Sequence, residues 1–199
     1  MKKTNRQIIR EAQQKKQARS RALIFGVSIV AILIVIAVVL LSANNSPVSA
    51  RPIGDVVAIS SSDHVPNNTV PGPYNSNPPA GGTHFETSYS ARFYQEADLA
   101  SLPQNPQGYL VHSLEHGYVI FWYNCQAANT DCSALKQTIQ KVMDETGGTK
   151  LIAFPWADMD VPLAMTSWGR ILKFPTADPV LMKRFVERNR YQAPEPNGV

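Results

Sequence analysis

Residues 110–125 read LVHSLEHGYVIFWYNC, and the way this stretch folds decides where the chemistry of the chain can sit. Its second half, Tyr118 to Tyr123, is an unbroken aromatic and β-branched run, as expected of a central strand that is apolar on both faces. Leu110-Val111 also reads as extended, so strands are expected over 109–112 and 117–124, leaving room for a single turn between them. At that turn stand His112, Glu115 and His116, two of the chain's four histidines with a carboxylate between them. A separation of four places His112 and His116 on one side whether the backbone is helical or extended, whereas Glu115 joins His112 only on a helix.

The same five residues fit H-x-x-E-H, a zinc-protease pattern in which two histidines bind metal and the glutamate activates water. That pattern needs a helix of several turns and a third ligand from a downstream helix. The strand-like flanks argue against the helix, and no suitable downstream His or Glu stands out. Glu115 is therefore the candidate base of the weaker hydrolase reading only, and the chain reads as a binding protein rather than an enzyme.

Working outward, Ser133 to Glu145 carries Leu135, Ile139, Val142 and Met143 at spacings of three to four and ends at Gly147-Gly148, which predicts an amphipathic helix. Lys150–Phe154 and Val161–Trp168 read as strands, and Asp178–Arg190 as a second helix with Val180, Leu181, Phe185 and Val186 as its stripe. The expected fold is α+β, a small and mostly antiparallel sheet with two helices packed on one face. Cys125 and Cys132 are the only cysteines. They are expected to form a structural disulfide, since a thiolate metal or redox pair more often uses C-x-x-C spacing.

The first fifty residues point to a membrane. Residues 23–41, LIFGVSIVAILIVIAVVLL, hold nothing more polar than Ser28, and as a helix they would extend about 28 Å. A cleaved signal peptide is the rival, with Val48-Ser49-Ala50 as a small-residue site, but the apolar run exceeds the usual h-region of roughly 7–15 residues. Eight Lys and Arg against the single acid Glu11 give the first 21 residues +7 of charge, which leaves −3 for the remainder of a chain whose net charge is +4. The basic balance thus belongs to the tail, where it would meet anionic lipid, and nothing downstream resembles a nucleic-acid-binding surface. The expected organisation is a basic cytoplasmic tail (1–21), a transmembrane helix (22–42), an extracytoplasmic linker (43–62), an extracytoplasmic α+β domain (63–191) and a disordered tail (192–199). A single-pass plasma-membrane protein is expected, with membrane lipid as its one assigned partner.

All four histidines (His64, His84, His112, His116) follow the apolar run, and two of them, His64 and His84, belong to an irregular Pro/Gly/Asn-rich stretch. Pro78-Pro79 stiffens that stretch and Gly81-Gly82 lets it turn, a means of bringing His84 over the sheet. As a group they are expected to hold copper or zinc. The alternative is a structural or interaction module in which they only form hydrogen bonds. Met159 and Met165 read as core filler before soft ligands. No phosphate-binding glycine loop and no serine-nucleophile elbow is present.

Three segments, SNPPAGGTH (76–84), LVHSLEHGYVIFWYN (110–124) and MTSWGR (165–170), resemble the domain of unknown function 3105 family of bacterial envelope proteins. Pro78, Pro79, Gly82 and His84 match its first signature, His112 to Gly117 its second, and Trp168-Gly169-Arg170 a shorter third. Gly81 and Thr83 depart from it, standing where Ser and Pro are more usual. The resemblance spans most of residues 63–170 and implies a single-pass or lipid-anchored envelope protein. It implies no activity.

Overall fold

The computed structural model describes residues 51–127 and 129–198. In chain order the elements are β1 (Asp55–Val56), β2 (His64–Val65), β3 (His84–Phe85), a 3-10 helix (Glu96–Ser101), α1 (Pro106–Glu115), β4 (Val119–Tyr123), α2 (Cys132–Glu145), β5 (Leu151–Pro155), β6 (Leu163–Ser167), β7 (Arg170–Phe174) and α3 (Pro179–Asn189). Five strands form one mixed sheet in the order β1-β7-β6-β4-β5, in which β4 and β5 are parallel and the other neighbours antiparallel.

Every residue of β4, β5 and β6 is buried, because the sheet is covered on both faces. On one face Val119, Phe121 and Tyr123 of β4 pack with Leu135, Ile139 and Val142 of α2 and with Met182, Phe185 and Val186 of α3. Both helices start at an aspartate cap: the Asp131 side chain accepts from the Ala134 N–H, and that of Asp178 from Val180 and Leu181. On the other face Ile120 and Trp122 meet Tyr109, Leu110 and Leu114 of α1 together with Phe85, Tyr89 and Tyr94. The expectation of two helices on one face is thus corrected: a third helix, with the irregular chain before it, builds a layer on the opposite face.

That third helix is the largest departure from the sequence reading. Residues 109–112, expected as a strand, lie within α1, whose eight residues from Gly108 to Glu115 are all buried. A helix with no wet face carries no apolar–polar alternation at period 3.6, so its apolar residues read as extended. Pro106 occupies its first turn, where a missing N–H costs nothing, and Gly117 at φ +81° follows its end.

Three further expectations are corrected. No helix among the described residues is long and apolar enough to cross a membrane, so the single-pass topology, lipid contacts and plasma-membrane placement expected from such a helix have no element in the described fold to carry them. The stretches to which the basic tail (1–21) and the span (22–42) were assigned lie outside the described residues. The expected linker (43–62) contributes β1, which pairs with β7 through Asp55↔Ile171 and Val56↔Arg170. Residues 192–198, expected to be disordered, fold back after α3. The Tyr191 N–H donates to the Gly117 carbonyl (2.9 Å) and the Glu195 N–H to the Glu115 carbonyl (3.0 Å). Cys125 and Cys132 form a disulfide with a Cα separation of 5.0 Å, joining the chain just after β4 to the start of α2.

Candidate metal centre

Two short parallel strands and the last turn of α1 assemble the centre. In the β2–β3 ladder His64 stands opposite His84, and the His84 N–H donates to the Asp63 carbonyl (3.1 Å). His112 and Glu115, three apart on α1, present one helical face to that ladder. Gly108 sets how closely α1 approaches β3, for a Cβ there would stand 2.5 Å from the Phe85 ring. Trp168, between β6 and β7, meets the His84 ring edge-on at 6.0 Å between centroids. Behind it the Gly169 N–H donates to the Ala80 carbonyl (2.7 Å), tying the Pro-Pro-x-Gly-Gly stretch to the sheet. The three segments quoted above thus converge on one place.

His64, His84, His112 and Glu115 each offer a ligand atom, and these atoms all lie within 4.8 Å of one another. The ring centroids of His64 and His84 are 4.4 Å apart, and that of His112 lies 5.2 and 5.3 Å from them. Such a group can coordinate a transition metal such as copper or zinc. His84, His112 and Glu115 are buried, whereas the His64 side chain is 42% exposed and forms the solvent side of the centre.

The hydrogen bonds define which nitrogens face inward. His84 Nδ1 lies 2.8 Å from the Gly82 carbonyl and His112 Nδ1 2.6 Å from the Phe85 carbonyl. A carbonyl only accepts, so both rings carry their proton on Nδ1, and a neutral ring then has its lone pair on Nε2. Backbone carbonyls thereby set the tautomer and the ring orientation, as outer partners do for metal-ligating histidines. His84 Nε2 in turn lies 2.9 Å from Glu115 Oε2, and His64 Nε2 lies 3.6 Å from the same oxygen. A lone pair facing a carboxylate oxygen at 2.9 Å requires a proton or a cation between them. Burial holds His112 below the ordinary histidine range, reinforced by the neighbouring His116, His84 and His64.

Of the four histidines expected as ligands, three are brought together and His116 is not among them. Its Nε2 lies 2.7 Å from His112 Nε2, and its Nδ1 lies 3.2 Å from the carbonyl of Glu195 in the C-terminal segment. Glu115, expected as a candidate base or as a residue orienting His112 or His116, stands where a fourth ligand would. The H-x-x-E spacing held that signal, but it is informative only once the segment is known to be helical. Met165 belongs to the core on the opposite face of the sheet, and Met159 packs at the edge of the nearer one. No curated protein and no solved structure matches the chain. Residues 64–199, which include every element of the centre, match the family described as "Protein of unknown function (DUF3105)", and the chain belongs to that family.

Proposed function

We propose that this domain is a non-catalytic module that holds one copper or zinc ion between His64, His84, His112 and Glu115. The observation that carries the reading is the pair of Nδ1–H bonds to the Gly82 and Phe85 carbonyls, which leave the Nε2 lone pairs for an ion. Three imidazoles and a carboxylate suit Zn(II) or Cu(II) better than Cu(I), which favours the thiolate and thioether groups that this centre lacks. Of the four ligands only His64 reaches solvent, an arrangement fitted to holding an ion rather than presenting it to a substrate. The hydrolase pattern loses its second histidine ligand, since His116 lies outside the group.

The test is metal analysis of the purified full chain after loading with zinc or Cu(II) and removal of excess. About one ion per chain is expected, and His84→Ala should lower affinity by more than the roughly 10- to 100-fold that loss of an outer partner costs. A chain that takes up neither metal overturns the proposal. A second reading, a metal-free structural or interaction module, draws on the direct His84–Glu115 contact (2.9 Å), in which a shared proton stands where an ion would. There His84→Ala lowers stability equally with and without metal.

A further inference from the structure

The four ligands of the centre are not held alike. His84 and His112 are buried, and each ring is fixed from behind by the bond of its Nδ1 to a backbone carbonyl, that of Gly82 or of Phe85. Glu115 is buried as well, at the end of α1. His64 has no such support. Its ring makes no hydrogen bond among the described residues, its Nε2 lies 3.6 Å from Glu115 Oε2, and its side chain is 42% exposed.

The backbone under this ring is nevertheless fixed on both sides. His64 pairs with His84 and Val65 with Phe85 across the β2–β3 ladder. The turn before them is closed by Ser61, whose Oγ accepts from the Asp63 N–H (3.0 Å) and donates to the Asp63 carboxylate (2.7 Å). Rotation about the His64 side-chain bonds therefore swings the ring into solvent without breaking the ladder. Moving His84 or His112 in the same way breaks a buried hydrogen bond and disturbs the packing around it.

We propose that His64 marks an exchange position: an outside imidazole donor takes its place on the ion while His84, His112 and Glu115 keep their hold, and the ion enters and leaves by that side. In the exchange one metal–nitrogen bond breaks and another forms, and both donors are neutral imidazoles, so no charge is moved. This rests on the metal-binding reading above and adds how the held ion is reached. A purely structural ion is closed in by four protein ligands, whereas here one of the four is replaceable.

The experiment uses the full chain, loaded with zinc chloride and separately with copper(II) chloride, and compares the parent with His64→Ala and His84→Ala. Affinity is read by titration, and release by the rate of transfer to EDTA. His64→Ala is expected to keep its ion with affinity lowered only roughly three- to tenfold, because an unsupported side chain must be ordered before it binds, and to release it roughly tenfold faster or more. Added imidazole should restore most of the affinity lost in His64→Ala and should speed release from the parent. A loss in His64→Ala as large as in His84→Ala, with no recovery in imidazole, would make His64 a fixed ligand and overturn the exchange position. Unchanged affinity and release in His64→Ala would overturn it too, leaving the ion to the other three ligands. A parent chain that takes up neither ion overturns both this and the metal-binding reading.

Discussion

His112 is the residue at which structure and chemistry meet most tightly: one nitrogen is fixed by Phe85, and the other is the only route by which the ring reaches a ligand or His116. Its acidity follows from its surroundings. Burial disfavours the imidazolium, and His64, His84 and His116 around it add to that effect, while Glu115 faces the same space. The folded protein therefore binds fewer protons at this site than the unfolded chain does when the pH is between the lowered folded value and about 6.5. The stability it contributes is present above about 6.5 and is lost as the pH falls through the folded value. In chelator-treated protein, unfolding free energy should decline as pH drops below 6.5, and His112→Gln should flatten that decline. An identical slope in the variant would show that His112 does not titrate differently on folding.

At the scale of elements, the centre depends on how closely α1 lies to β3. Gly108 faces the ring of Phe85, a fully buried side chain with no room to swing away, and a methyl group placed 2.5 Å from it must move either the ring or the helix. Gly108→Ala should therefore cost about 1–3 kcal/mol of stability, against the gain of a few tenths up to about 1 kcal/mol that alanine brings to an unhindered helix site. The same shift would disturb the Phe85 carbonyl that orients His112, so metal affinity should fall by about 10- to 100-fold. Chemical denaturation and zinc titration of the one variant check both. A variant as stable as the parent would mean that α1 and β3 are not held at this distance.

For the molecule as a whole, the sheet is a partition. The face toward α2 and α3 is a closed apolar core, and the face toward α1 is a core roofed by irregular chain whose polar residues gather at the centre. An ion bound there ties β2, β3 and α1 together and stabilises only the folded state. At free zinc of about 100 times the dissociation constant the gain should be about 2.7 kcal/mol, or roughly 5–10 °C in Tm for a domain of this size. The rise should vanish with chelator and in His84→Ala. A Tm indifferent to zinc and Cu(II) alike would remove the ion from the description of the fold.

Local pattern determined the parts of this protein that have a wet side or an unbroken dry run. The stripes of α2 and α3 and their aspartate caps are written at fixed spacings, the run Val119–Tyr123 announces a strand buried on both faces, and two cysteines seven positions apart announce their pairing. Four histidines and the Pro-Pro and Gly-Gly turns marked where chemistry would gather. The tertiary structure alone decided that residues 106–115 form a helix, because a segment buried on every side has no periodicity to read. From that one element follow the place of Glu115 among the ligand atoms, the turning of His116 toward His112 and the C-terminal segment, and the return of residues 191–198 to the site. Sequence spacing fixes which side chains share a face. Which nitrogen of the His112 ring points inward is set by the Phe85 carbonyl, more than twenty residues away, and only packing brings that carbonyl into reach.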